Sequence, residues 1–165
     1  YATYATILVC SGRTAEGQQY SARARQLDPL GTVQRIDSLY QLYCARQWNV
    51  MMDEARRALD LEPKFGFAYV MLALGQLQSG DRNAALASAD KALALSDGRF
   101  LMSLVAYVDA QAGRPQQALA LVHTLEGLSS REFVCFFNVA AVYAALGDRE
   151  KAFASLERGY RDHTG

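Results

Sequence analysis

The chain has little of what catalysis, metal binding or nucleic-acid attraction usually requires. Of its 165 residues two are histidines, three are cysteines, three are prolines and one is tryptophan. Neither charge sign is in excess: 17 Lys and Arg balance 17 Asp and Glu, for a formal net charge of zero. An interspersed neutral surface lacks the basic face that draws nucleic acid or anionic lipid, so neither is expected as a partner. Long apolar runs are missing too. The stretch 133–137 is far short of the roughly 20 residues a spanning helix needs. The amino end, YATYATILVC, has no basic start, so it reads as helix and not as a signal peptide. No glycine-rich phosphate loop, nucleophile elbow or His-Glu-x-x-His pattern occurs. His123 and His163 are assigned to the surface, and the acids at 53–54, 60 and 62 to solvated helix faces near Arg56, Arg57 and Lys64. No catalytic residue, metal or cofactor is expected. Three cysteines cannot all pair within one chain, so Cys10, Cys44 and Cys135 read as thiols, Cys135 as a small core residue. That usage favours a reducing, cytoplasmic compartment over a periplasmic one.

What the chain has instead is a recurrence of small residues. Gly80, Gly113 and Gly147 follow one another by 33 and 34 residues, and Gly12 precedes Gly80 by a double step of 68. Alanines keep the same register: Ala5, Ala73, Ala106 and Ala140 precede it, and Ala85, Ala118 and Ala152 follow it. Small side chains at fixed spacing mark places where two helices approach closely, and a period near 34 marks a helical array. The chain divides into five copies, 1–31 with its first three positions missing, 32–65, 66–98, 99–132 and 133–165. First helices are predicted near 1–11, 32–45, 66–79, 99–112 and 133–146, and second helices near 14–27, 48–61, 82–95, 115–128 and 149–161. Asp81 and Asp148 are placed to cap the helices they precede, and Pro115 to open its helix, where a missing amide hydrogen costs little.

This pattern resembles the tetratricopeptide repeat, a helix-turn-helix unit, over essentially the whole chain. Tyr1, Tyr69, Met102 and Phe136 answer the family's large fourth position, and Pro29 and Pro63 its closing proline, which Asp97 and Ser130 replace in copies three and four. Copy two departs most, with Arg35, Leu39, Arg46 and Met51 at the signature positions, so its helices are expected to sit farther apart or at a changed angle. The resemblance implies an all-α, right-handed superhelix of antiparallel helix pairs whose first helices line the concave side. It also implies a groove for a protein partner. The residues at the family's groove positions are Ile36, Asp37, Tyr40, Tyr43, Phe67, Val70, Met71, Leu74, Phe100, Tyr107, Phe137 and Asn138. The polar groups there, Asp37, Gln78, Ser103, Gln111 and Asn138, include no Lys or Arg, which argues against gripping a carboxylate tail. An apolar groove suits an amphipathic helix or an apolar segment of a partner. Tyr40, Phe67 and Tyr107 are expected to be exposed there, and Tyr1, Tyr69, Phe136 and Tyr143 to pack in the core.

The strings ARQWNVMMDEARRALDLEPKFGFAY, AQAGRPQQALALV and AAVYAALGDREKAFASLERGY further resemble the repeat tails of bacterial multidomain signalling proteins. That resemblance implies a binding region of a larger signalling or scaffold protein. The alternative reading is a self-assembly element whose end repeats stack on another copy. Copy one opens three positions late, and Phe153, Leu156 and Tyr160 face outward from the last helix, so both ends are expected to be continued by further chain or covered by another subunit.

Overall fold

A computed structural model describes residues 1–28, 31–96, 98–129 and 133–162, with the backbone alone described at Cys10 and Arg25. Ten α-helices and no strand are found among them: α1 Ala2–Cys10, α2 Thr14–Leu27, α3 Thr32–Cys44, α4 Trp48–Leu61, α5 Gly66–Gln78, α6 Arg82–Leu95, α7 Arg99–Ala112, α8 Pro115–Leu128, α9 Phe136–Ala145 and α10 Arg149–Asp162. The boundaries follow the repeat register within a residue or two except at α9. There the predicted start at 133 gives way to a non-helical 133–135, with Val134 buried in the core and Cys135 half-buried and extended at the N-terminal boundary of α9. Pro29, Asp97, Ser130 and His163, to which the sequence assigned turn or surface roles, lie outside the described residues, as does the side chain of Cys10.

Each hairpin closes by the same hydrogen bond. The amide that follows the register point donates to the carbonyl five residues back: Arg13 to Leu8, Gln47 to Leu42, Asp81 to Gln76, Arg114 to Asp109 and Asp148 to Tyr143, all at 2.8–3.0 Å. This closure needs the register residue in the left-handed region, where L side chains are disfavoured. Gly12, Gly80, Gly113 and Gly147 supply it with φ between 81° and 97°; in copy two Arg46 adopts it at φ 56°. The α3/α4 pair is also the least closely packed of the five hairpins, as its departures from the pattern predict. Caps do the rest. Asp81 accepts from the Ala84 amide and Asp148 from the Lys151 amide, both at 3.0 Å, and Pro115 occupies the first turn of α8.

Two layers result. The first helices α1, α3, α5, α7 and α9 touch one another in sequence, whereas no two second helices meet among the described residues. A row in continuous contact backed by a splayed row curves toward the continuous side, so the first helices form the inner layer. Fully buried Ala5, Ala73, Ala85, Ala106 and Ala118 sit where the layers cross, and Leu74, Met51, Met71, Val122 and Leu125 fill the space between.

Candidate functional site

The inner layer carries a run of aromatic side chains that close on one another. Tyr40 on α3 and Phe100 on α7 meet edge to face with centroids 6.5 Å apart, although the whole of α5 lies between their helices. Phe100 stacks on Phe67 at 6.4 Å, Tyr40 on Tyr43 at 6.0 Å, and Tyr43 meets Trp48 at 5.4 Å. Burial raises the Tyr43 phenol above its ordinary pKa, and the neighbouring Tyr107 adds to the shift. Because α3 and α7 both pack on α5 and their rings join above it, the middle of the predicted groove is filled by the chain itself. Phe67, Val70, Met71 and Leu74 are therefore core residues and not groove walls. Tyr1, expected in the core, is instead 64% exposed, with only Tyr20 stacked on it at 6.2 Å.

The rest of the predicted set stays nearer the surface. Phe100 is 45% and Phe137 61% exposed, while Ile36, Asp37, Tyr40, Tyr43, Tyr107 and Asn138 are half-buried. Two of these tie neighbouring first helices together. The Asn138 amide donates to Ser103 Oγ at 2.9 Å, joining α9 to α7, and the Thr6 hydroxyl donates to Asp37 Oδ1 at 3.1 Å, joining α1 to α3. Burial raises the Asp37 pKa, and the Thr6 bond opposes that rise.

Two further features lie outside the predicted groove, of which only the apolar face of the last helix was anticipated from the sequence. Copy two carries Gln34, Ser38 and Gln41 at its third, seventh and tenth positions, where copy four has buried Leu101, Val105 and Val108. The joint between the first and second hairpins is accordingly polar. Gln41 accepts a short hydrogen bond from the Ser21 hydroxyl and donates to Thr6 Oγ1 at 3.0 Å. Beside it an open cleft of about 530 Å³ runs between α2, α3 and α4, lined by residues that include Val9, Gln18, Ser21, Gln41, Val50 and Glu54. The polar seam was legible in copy two's positions, had the copies been compared face by face. The second feature is an apolar groove of about 380 Å³ on the outer end of the α9/α10 hairpin, floored by Ala140, Ala141, Ala144 and Ala152 and walled by Phe137, Phe153 and Leu156.

Titratable groups give no ligand set. His123 is exposed, and Glu126, three residues on and on the same helix face, accepts from the Tyr143 hydroxyl at 3.1 Å. Burial, with the Glu126 charge second, pushes the Tyr143 pKa to about 12. No group of three His, Cys, Asp or Glu able to hold a metal ion occurs among the described residues. The most perturbed acid is Asp109, buried on α7, whose pKa burial lifts to about 6 against the opposing charge of Arg114 at 3.8 Å. Arg114 makes its close contact elsewhere, at 2.7 Å to Asp90. On the outer helices Arg56 pairs with Asp53 and Arg57 with Glu54 at 2.8 and 2.6 Å, which are solvated contacts within one helix.

The 34-residue hairpin, the left-handed register position, the alanines at the helix crossings and the continuous inner layer now stand together. The fold is that of a tetratricopeptide-repeat solenoid. No family model matches the sequence, and no curated protein is similar to it in sequence. Among solved structures the solenoid is similar to a chain in "Crystal structure of APC/C hetero-tetramer Cut9-Hcn1", at a TM-score of 0.46 and 14% identity. The likeness covers 96% of this chain and 38% of that one, so the solenoid spans well under half of that chain's length. Among the described residues no helix is long and apolar enough to cross a membrane.

Proposed function

We propose that the chain is a protein-binding module that takes an apolar or amphipathic segment of a partner protein against the open part of its inner layer. Phe100 and Phe137 are the anchors, flanked by Tyr40, Tyr107 and Asn138, with Ile36, Asp37 and Tyr43 at the far edge. The observation that carries this reading is the exposure of Phe100 and Phe137, at 45% and 61%, on helices whose other large side chains are mostly buried. Exposed aromatics cost free energy in water and are the side chains that interfaces most often use as anchors. Basic groups play no part in the proposed set, so the segment is recognised by apolar contact and backbone hydrogen bonding, and not by a terminal carboxylate. The module belongs to a larger signalling or scaffold protein in this reading. Calorimetric titration of a partner purified with the chain tests it. Phe100→Ala and Phe137→Ala should each weaken binding by more than about 1 kcal/mol, while Arg57→Ala and Lys91→Ala on the outer helices should change it little. Equal losses from both pairs would move the site off the inner layer.

A further inference from the structure

The joint between the first and second hairpins is polar on both of its faces. Where the second hairpin meets the third, Met52 and Ala55 on α4 face Leu72 and Gly75 on α5, and an added Cβ at Gly75 would stand 2.5 Å from Met52 Cγ. All four are buried. Between the fourth and fifth hairpins the equivalent Val122, Val139 and Val142 are fully buried as well. At the first joint the same register positions hold Gln18 and Ser21 on α2 and Ser38 and Gln41 on α3. Amides and hydroxyls cost free energy when buried without partners, so a joint lined by them does not close as an apolar one does. Accordingly α2 barely touches α3, whereas α4 packs along α5 and α6 along α7. The opening is confined to the joint, because α2 rests so tightly on α1 that a Cβ added to Gly17 would stand 2.6 Å from Val9 Cγ2.

The cleft that results, about 530 Å³ between α2, α3 and α4, falls within the roughly 300–1,000 Å³ of small-molecule sites. On its floor Ser21 and Gln41 are more than nine-tenths buried and bonded to each other, and Gln41 donates on to Thr6. Along its walls Thr14, Gln18, Ser38 and Gln47 make no side-chain hydrogen bond among the described residues. Their donors and acceptors are open to a ligand. Among the described lining residues only Glu54 is charged, and one of its oxygens already accepts from Arg57 at 2.6 Å. Such a set offers an anion no counter-charge and a cation only a shared one. Hydroxyls suit it, since each both donates to the carboxylate or an amide oxygen and accepts from an amide. A peptide backbone supplies one donor and one acceptor per residue, fewer than these walls present. Val9, Leu42 and Val50 add apolar contact for the C–H face of a ring. We propose that this joint binds an uncharged sugar of one or two rings, whose hydroxyls bond Gln18, Ser38, Gln41 and Gln47 and tie the first hairpin to the second. No lining residue belongs to the inner-layer set around Phe100 and Phe137, so the two sites are tested separately.

NMR titration of the isotope-labelled chain tests this, with glucose, maltose, lactose, sucrose and trehalose as neutral probes and glucuronate, glucosamine and a capped dipeptide as comparisons. At least one neutral sugar should give saturable shifts centred on α2, α3 and α4, and the comparisons should bind at least about tenfold more weakly. Gln18→Ala and Gln47→Ala, both at exposed positions, should each weaken binding at least about threefold, while Gln116→Ala on α8 should leave it unchanged. Ser21→Ala combined with Gln41→Val restores the residue types of the later joints and removes both partners of one hydrogen bond together. That double variant should lose binding and unfold at a higher denaturant concentration. Should it lose helix content instead, the two exposed variants decide the matter. No saturable shift from any neutral sugar up to about 50 mM, preference for a charged or peptide comparison, or unchanged binding in both exposed variants would overturn the proposal.

Discussion

Tyr40 and Phe100 meet with ring centroids 6.5 Å apart, joining the second hairpin directly to the fourth past the intervening α5. The contact turns the central inner layer into core. Met71, on the α5 helix between the two hairpins, is fully buried. Met71→Ala should therefore lower the unfolding free energy by about 2–5 kcal/mol in denaturant titration. A loss under about 0.5 kcal/mol would mean that Met71 faces an open groove.

Helix crossings at Ala85 and Ala118 leave no room for a larger side chain, since both residues are fully buried between layers. Ala85→Leu and Ala118→Leu should each cost about 1–3 kcal/mol by overpacking. Each hairpin touches mainly its neighbours, so the damage should be concentrated in protection from hydrogen exchange nearby. Unchanged midpoints in both variants would contradict these crossings.

The one register position without glycine offers the opposite effect. Arg46 holds φ 56° on an exposed turn, a conformation that L side chains reach at a cost of roughly 1–2 kcal/mol. Glycine removes that cost and returns part of it as unfolded-chain entropy. Arg46→Gly should raise stability by roughly 0.5–1 kcal/mol, read as an upward shift of the denaturation midpoint. A downward shift would mean that the Arg46 side chain contributes more than its backbone costs.

Asp109 makes the fold sensitive to pH. Its folded pKa, about 6, lies above the ordinary 3.8, so the unfolded chain gives up this proton first. Stability should fall as pH rises from about 4 to about 6 and lose nothing more to this group above that. The shift corresponds to roughly 2–3 kcal/mol. Asp109→Asn should flatten that part of the profile, measured as the difference between variant and parent across the range. An identical slope in both would show that Asp109 is not the group responsible.

The hairpins, their boundaries and their caps were readable because each depends on local chemistry that recurs from copy to copy: glycine at the turn in four copies, alanine at the crossings outside copy two, and aspartate before the second helix in copies three and five. Which groove residues stay open depends on something longer in range. Phe67, Val70, Met71 and Leu74 fit a groove by position, but they lie in the buried cluster on which Tyr40 packs, and Phe100, 60 residues from Tyr40 in sequence, stacks on Phe67 and meets Tyr40. Nothing in a single repeat carries that information. Tyr1 is the converse case, placed in the core by its position but found exposed, with Tyr20 stacked on it. The polar seam at Gln34, Ser38 and Gln41 was written in the sequence, but as a departure from the repeat, where a search for agreement does not look.

The most direct test of the binding account is site-specific photo-crosslinking, with the crosslinking residue placed at Phe137 on the inner layer and, in a second protein, at Arg57 on the outer helices. With the purified partner present, the account predicts a covalent adduct from position 137 and none from position 57, and loss of the adduct when Phe100→Ala is added. An adduct from position 57 with none from position 137 would contradict it.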